Sequence, residues 1–333
     1  MRKHSFSSSH TNLHPLTFHA NTNTEITGIV NFHQDADLSV NSRDGPIYTF
    51  QSCTFSNLIN TGDGGAITCS ASFTSTWKPQ LIIKQSTFNS CNSSLGFGGG
   101  VYVSGISLFS VEKACFSNCN SVDKQGGGFY FTSGVGLPLL SESSFISCYA
   151  RNTSGSSGSY DDAGGIAVYS SFSSTELHYL LESCRFISCG CYDWGGGGHI
   201  GVGSAQLGCK DCLFSACKCS IAEGLGINLA TTDSIFYIRY CFFSCTNRAN
   251  CPTDLSFNRD AGALSNSPIL HSFSTKNPAQ SVNFGVRWTN YQPRNWLPQA
   301  NINAKLTATI NGYRHNAIHS VGNNNNDYIL DLL

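Results

Sequence analysis

The chain has 333 residues, a formal net charge of -1 and 12% charged residues, about half the charged share of an ordinary globular domain. It contains no basic run, which binding to nucleic acid or to an anionic membrane would require, so no nucleic-acid partner is expected. No apolar window of about 18 residues is present, so no transmembrane segment is expected either. The 33 glycines and the many Ser, Thr and Asn residues favour short strands and turns over helices.

Residues 1–45 are polar and rich in His and Asn, and they are predicted to form an irregular N-terminal cap or a partial coil. The first residues carry positive charge, as in a signal peptide, but no apolar stretch follows them. The sequence itself therefore leaves the localisation open.

A unit built around one Phe recurs seven times between Phe50 and Leu264. Successive copies are separated by 33, 28, 29, 41, 28 and 28 residues, which indicates a basic period near 28. A fixed period of this length is typical of solenoids, in which each repeat packs against the next. The predicted inward-facing Phe residues are Phe55, Phe88, Phe116, Phe145, Phe186, Phe214 and Phe242.

A glycine-centred motif follows each Phe, and an inner glycine of the motif lies 10 or 12 residues after the Phe in five units and 20 residues after it in the other two. The two longer distances indicate insertions, at residues 152–160 and 247–258. The glycines are predicted to supply positive φ or close backbone approach at a corner, because glycine has no Cβ. No Gly-Lys-Ser/Thr follows any motif, so a nucleotide-binding loop is not expected. The motifs begin at Gly64, Gly99, Gly127, Gly164, Gly197, Gly224 and Ala261.

Each period has room for three strands of four to six residues, too few to enclose a core alone. Stacking the periods in parallel buries their inward side chains in one continuous column. The sequence therefore predicts an all-β fold, a single-stranded right-handed parallel β-helix of about seven coils, over residues 46–270. The second-ranked alternative is a β-propeller, whose blades need about 40 residues and four antiparallel strands.

Cysteine is the second repeated residue of the predicted core. The chain has 16 Cys, and six of the seven units place one three residues after the Phe. A column of small buried side chains explains this spacing, because free Cys packs as a small hydrophobe. The alternatives are a metal-binding or redox-active column of thiols and disulfides between neighbouring coils. The six positions are Cys91, Cys119, Cys148, Cys189, Cys217 and Cys245.

The strongest metal candidate is the group Cys209, Cys212, Cys217 and Cys219, since zinc takes four convergent ligands, often Cys. Cys184, Cys189 and Cys191 stand at the same places one period earlier. Column stacking alone therefore explains the group, and neither a bound metal nor any other cofactor is expected.

Four residues are weak candidates for catalysis: Asp161, Asp162, His199 and Arg239. They are superficially similar to the Asp-Asp, Gly-His and Arg elements of polygalacturonases, and a glycosidase needs two carboxyl groups about 5 to 10 Å apart. Asp161 and Asp162, however, fall in an insertion rather than on a coil strand. Solvated loop carboxylates are the preferred interpretation, and a non-enzymatic protein is expected.

Two repeated patterns carry a family resemblance. Residues 64–67, Gly-Gly-Ala-Ile, together with Phe55-Ser56-Asn57, resemble the repeats of chlamydial polymorphic outer-membrane proteins. The Phe-Ser-x-Cys and Gly-Gly-Gly-x-Tyr pattern is similar to pectin-lyase-like β-helix repeat proteins of protist surfaces. The resemblance implies an extracellular or surface-exposed role in recognition or adhesion, with carbohydrate or a cell-surface protein as partner. In the bacterial repeats Asn stands where this chain has Cys.

Residues 271–333 contain no Cys, and they are predicted to form a C-terminal cap or a partly disordered tail. Three functional hypotheses follow from the sequence. The first is a non-enzymatic recognition or adhesion scaffold, the second a polysaccharide lyase or glycoside hydrolase on the same fold, and the third a degenerate fragment without independent function.

Overall fold

A computed structural model describes residues 16–26, 30–34, 47–71, 79–133, 136–151, 163–192, 195–203, 205–220, 226–229, 235–244, 255–257, 269–270, 273–274, 303–308, 315–321 and 328–332. Over these residues the chain is all-β and forms a parallel β-solenoid of about six turns, with a period near 29 residues. The parallel pairing excludes the propeller alternative. Among the described residues, no helix is long and apolar enough to span a membrane.

Four sheets run along the solenoid, and each turn adds one strand to each of them. Sheet A1 contains β6 (Gln80–Lys84), β10 (Leu108–Glu112), β14 (Pro138–Ser141), β18 (Ser174–Glu182), β22 (Ala205–Lys210), β26 (Ile235–Arg239) and β29 (Ile269–Leu270). Sheet A2 contains β7 (Thr87–Asn89), β11 (Cys115–Ser117), β15 (Ser144–Ile146), β19 (Arg185–Ile187), β23 (Leu213–Ser215), β27 (Phe242–Ser244) and β30 (Phe273–Ser274).

The other two sheets complete each turn. Sheet C contains β4 (Ile59–Asn60), β8 (Asn92–Ser93), β12 (Asn120–Val122), β16 (Tyr149–Arg151), β20 (Gly190–Cys191) and β24 (Lys218–Cys219). Sheet B contains β2 (Val30–Gln34), β5 (Ile67–Ala71), β9 (Val101–Ser104), β13 (Phe129–Ser133), β17 (Ile166–Ser170), β21 (Gly198–Val202), β25 (Ile227–Leu229) and β28 (Leu255–Phe257). β3 (Ile47–Ser56) is continuous and joins A1 to A2 by pairing with both β6 and β7.

A turn thus has four strands where three are predicted from the sequence, because single residues in the left-handed conformation divide it at unexpected places. Their backbone N–H groups still pair with the next turn, as in Gln85 to Glu112 O at 2.9 Å and Ser90 to Ser117 O at 2.8 Å. The left-handed conformation costs about 1–2 kcal/mol for a residue with a Cβ, and the continuous backbone ladder offsets it. The residues between A1 and A2 are Ser52, Gln85, Lys113, Glu142, Ser183, Asp211 and Tyr240, and those between A2 and C are Asn57, Ser90, Asn118, Ser147, Ser188 and Ala216.

The centre of each A2 strand from β7 to β27 carries a fully buried Phe, and these rings stack from turn to turn on one another and on Phe55 of β3. Ring centroids are 4.5–5.0 Å apart, which is the spacing of neighbouring strands. The seventh ring is that of Phe243, not of Phe242 as predicted. Phe243 pairs with Phe214 in register and stacks on it, whereas Phe242 lies opposite Leu213 and is half-buried. Two adjacent Phe residues could not be distinguished by spacing alone.

The glycine motifs combine both predicted roles, on different residues. Gly98 and Gly126 have positive φ, of 68° and 74°, immediately before the glycine pair of each motif. The pair itself permits close approach, because a Cβ on Gly99 would lie 2.2 Å from Gly127 O. Successive turns therefore touch backbone to backbone at this corner, which only glycine allows.

Both ends of the repeat continue beyond the recognised motifs. β1 (Leu16–Ile26) pairs in parallel with β3, and β2 pairs with β5, so two strands before residue 46 extend the sheets. At the other end β28 pairs with β25 and lies inside the stretch that is predicted to be an insertion, at 247–258. The motif at Ala261 lies outside the described residues. β31 (Asn303–Ala308), β32 (His315–Val321) and β33 (Tyr328–Leu332) form a separate antiparallel sheet.

Candidate functional site

The four weak catalytic candidates are not assembled within the described part of the chain. His199 lies on β21 of sheet B, and Arg239 ends β26 of sheet A1, where its guanidinium lies over the Tyr237 ring at 5.6 Å. Asp161 and Asp162 lie outside the described residues. The carboxylate pair that a glycosidase mechanism requires therefore has no described geometry, and the enzyme alternative remains a hypothesis.

A row of aromatic side chains crosses the outer face of sheet B. Tyr102 alternates with the fully buried Val101 and Val103, so its ring points outward, and Tyr130 stands beside it in register. Tyr102 and Tyr130 stack with centroids 5.7 Å apart and planes 5° apart. Phe97, from the corner before β9, packs on Tyr130 at 4.5 Å.

The aromatic row continues over two further turns. Tyr169 of β17 lies 5.6 Å from Tyr130, and its ring stacks on the imidazole of His199 at 5.2 Å. We call the residues Phe97, Tyr102, Tyr130, Tyr169 and His199 the aromatic row. Sequence analysis missed it as a unit, although the Tyr of the Gly-Gly-Val-Tyr and Gly-Gly-Phe-Tyr motifs was a signal: a polar-tipped ring recurs at one position of the repeat.

The hydroxyl groups of the row are protonated donors at neutral pH. Burial raises the pKa of Tyr102, and it raises the pKa of Tyr130 to about 12. At the Phe97 end of the row, the Lys124 ammonium lies 5.3 Å from the Phe97 ring centre, and Asp63 Oδ1 accepts a hydrogen bond from the Phe97 N–H at 2.8 Å. The side chains of the row itself are uncharged at neutral pH and include several hydroxyl donors.

His199 forms the opposite, buried end of the row. Its side chain is 5% exposed, and its Nδ1 lies 3.0 Å from Asn228 Nδ2 on the next turn. Burial lowers the pKa of His199 to about 4, so the imidazole is neutral near pH 7. With the Asn228 amide as donor, Nδ1 accepts the hydrogen bond. Asn228 is itself fully buried.

The Cys three residues after each Phe form the first of two thiol columns. Each thiol lies inside the solenoid, and each donates to the backbone carbonyl of the Phe one turn earlier, at 3.2–3.6 Å. Cys is thus a small donor at a position where the bacterial repeats have Asn. The described members are Cys91, Cys119, Cys148, Cys189 and Cys217, while Cys245 lies outside the described residues.

A second thiol column lies two residues before the Phe. Cys212 and Cys241 occupy this position in two successive turns, and Cys209 lies beside them. The three Sγ atoms are all within 4.8 Å of one another, and Cys209 Sγ lies 3.5 Å from Cys241 Sγ. We call these three residues the thiol cluster.

The predicted group of four Cys is therefore divided in the structure. Cys209 and Cys212 belong to the thiol cluster, Cys217 belongs to the first column, and Cys219 faces Cys191 on sheet C, Sγ to Sγ 3.5 Å. Proximity along the chain did not predict proximity in space, because the corner between sheets A2 and C separates Cys217 and Cys219 from Cys209 and Cys212. Counting from Phe243 instead of Phe242 would have aligned Cys241 with Cys212.

All fourteen described Cys are buried, and none of them is joined in a disulfide. Burial raises the pKa of Cys69 and of Cys115 to about 12, which makes them poor nucleophiles at neutral pH. These two thiols therefore serve packing rather than covalent catalysis.

Comparison with known proteins adds no relative to this description. No family model, no curated protein and no solved structure matches the chain.

Proposed function

We propose that this protein is a non-enzymatic recognition module, and that the outer face of sheet B binds carbohydrate through the aromatic row. The observation that carries the proposal is the continuity of the row. Phe97, Tyr130, Tyr169 and His199 follow one another at centroid distances of 4.5, 5.6 and 5.2 Å, with Tyr102 stacked beside Tyr130.

The chemistry of the row fits a neutral oligosaccharide. Tyr rings offer a large rigid contact area at low cost in conformational entropy, and their hydroxyls donate hydrogen bonds at the edge of an apolar patch. The accessible part of the row, from Phe97 to Tyr169, extends over three turns, about 10 Å at the spacing of neighbouring strands, and the buried His199 supports its far end. A net charge of -1 and the lack of a basic run in the sequence argue against a polyanionic ligand.

The surface location belongs to the same proposal. It is supported by the similarity of the repeats to chlamydial polymorphic outer-membrane proteins and to pectin-lyase-like repeat proteins of protist surfaces. A regular scaffold that presents one aromatic face and carries a longer corner segment at residues 152–162 is suited to recognition or adhesion. The parallel β-solenoid agrees with the fold expected from that similarity.

A glycan panel followed by calorimetric titration tests the proposal. We expect binding to neutral oligosaccharides, and at least a tenfold loss in the triple variant Tyr102→Ala, Tyr130→Ala and Tyr169→Ala. Tyr149→Ala on sheet C is the matched control, since its ring lies outside the row between the cations of Arg151 and Lys218. The control should bind like the wild type.

Two results would contradict the proposed function. One is the absence of binding across a broad panel, and the other is unchanged binding by a triple variant that circular dichroism shows to be folded. Tyr102→Phe and Tyr130→Phe retain the rings, so they separate the contribution of stacking from that of the hydroxyl donors.

A further inference from the structure

We propose that Cys209, Cys212 and Cys241 form a binding site for a thiophilic metal ion of the Zn²⁺ or Cu⁺ class. The site is independent of the aromatic row: the cluster lies inside the solenoid, at the corner between sheets A1 and A2. It also differs from the group of four that chain spacing suggests, because it includes Cys241 and excludes Cys217 and Cys219.

The first argument is geometric. Three Sγ atoms within 4.8 Å of one another, with one pair at 3.5 Å, can share one central ion with small side-chain movements. A Zn–S bond of about 2.3 Å in tetrahedral geometry separates neighbouring sulfurs by roughly 3.8 Å, which lies between these two distances. Thiolates are the ligands that Zn²⁺ and Cu⁺ prefer among protein side chains.

The second argument comes from the register of the turns. Cys209 stands in a column of inward A1 residues that is otherwise filled by large apolar side chains. The small thiol occurs in that column directly beside the two stacked thiols of Cys212 and Cys241. Packing alone would be better served by Leu or Ile at this place. The other members of the column are Phe50, Ile83, Val111, Leu140, Leu181 and Ile238.

The thiol of the preceding turn lies outside the cluster. Cys184 occupies the equivalent position one turn before Cys212, is fully buried, and donates to Leu140 O at 3.5 Å. The three sulfurs within 4.8 Å of one another do not include its Sγ. The three thiolates of the cluster would therefore hold Cu⁺ by themselves, whereas Zn²⁺ would take its fourth ligand from solvent.

Binding releases protons and is coupled to folding. Each coordinating thiol loses its proton to solvent as the metal–sulfur bond forms, and no electron is transferred. All three ligands are at most 2% exposed, so the ion enters most readily while the turns are still forming. Metal binding to the folded state alone then raises the unfolding midpoint.

The test is refolding of the reduced full-length chain under anaerobic conditions, with Zn²⁺, with Cu⁺ or with no metal. Native mass spectrometry should show one ion per chain, and that ion should raise the midpoint of chemical denaturation. Competition between the two ions then identifies the preferred one.

Two variants locate the site. Cys209→Leu introduces the side chain that the preceding turn has in the same column, Leu181, so the variant is expected to fold. It should bind no ion, and its denaturation midpoint should not depend on metal. Cys119→Ala removes a thiol of the first column and should still bind one ion.

Three outcomes would overturn the inference. The first is refolded wild-type protein without bound metal, and the second is Cys209→Leu binding metal as the wild type does. The third applies to a parallel sample refolded in air, where oxygen can accept two electrons and two protons: a mass lower by two hydrogens with Cys209 and Cys241 joined in one peptide would show that the pair forms a disulfide.

Discussion

At the residue scale, the abundance of Cys is explained by packing. Cys148 shows the reason: its thiol fills a corner inside the solenoid and donates to Phe116 O at 3.5 Å, so one small side chain both packs and satisfies a carbonyl. The hydroxyl of a Ser at this position would be more polar than the thiol, and the amide of an Asn would be larger. The number of Cys in such a chain therefore reflects its repeat, and the alternative of disulfides between neighbouring coils has no support among the described thiols.

The buried His199 predicts a dependence of stability on pH. Burial lowers its folded-state pKa from 6.5 to about 4, so the unfolded chain binds more protons between these values. The contribution of His199 to the free energy of unfolding is therefore fully present above pH 6.5. It decreases by about 3 kcal/mol in total as the pH falls towards 4. Urea denaturation at a series of pH values measures this loss.

His199→Asn is the matched variant for the pH experiment. It would place Asn beside Asn228, as Asn120 stands beside Asn92 with Nδ2 to Oδ1 2.9 Å on sheet C. Between pH 6.5 and 4, its free energy of unfolding should fall by about 3 kcal/mol less than that of the wild type, which is the value that corresponds to the lowering of the His199 pKa from 6.5 to about 4. Equal pH profiles for the two proteins would show that His199 titrates normally in the fold.

At the scale of the elements, the sequence predicts what repeats in residue type and misses what repeats only in backbone conformation. The Phe column was visible because one bulky residue recurs at a fixed interval and must be buried. The left-handed corners were invisible because Gln85, Lys113, Glu142 and Asp211 share a conformation but no side chain. The aromatic row and the thiol cluster join residues from different turns, so both depend on a register that spacing alone leaves uncertain by one residue.

The register at the seventh Phe gives a test at this scale. Phe243→Ala should lower the free energy of unfolding by about 3–5 kcal/mol, because it leaves a cavity under the Phe214 ring. Phe242→Ala should cost about 1 kcal/mol or less, since this side chain is half-buried beside the column. Chemical denaturation followed by circular dichroism compares the two. A larger loss for Phe242→Ala would reverse the assignment.

At the scale of the whole molecule, each turn contacts only its neighbours, so stability accumulates turn by turn and corners tolerate inserted residues. Between β12 and the positive-φ Gly126 the chain has three residues, at 123–125. At the same place one turn later, between β16 and the positive-φ Ala163, it has eleven, at 152–162. The flanking strands β12 and β16 pair in register, as do β13 and β17.

Replacing residues 152–162 by Asp-Lys-Gln, the sequence of residues 123–125, should therefore leave the solenoid intact. Shortening the loop from eleven residues to three reduces the entropy that is lost when the loop closes, and this stabilises the folded chain by about 1 kcal/mol. Circular dichroism and denaturation check the fold and its stability, and destabilisation by several kcal/mol would mean that the insertion packs on the scaffold.

The exchange also separates two origins of recognition. Because it leaves Tyr102, Tyr130 and Tyr169 unchanged, carbohydrate binding should be retained, whereas loss of binding in a folded variant would assign recognition to the inserted loop.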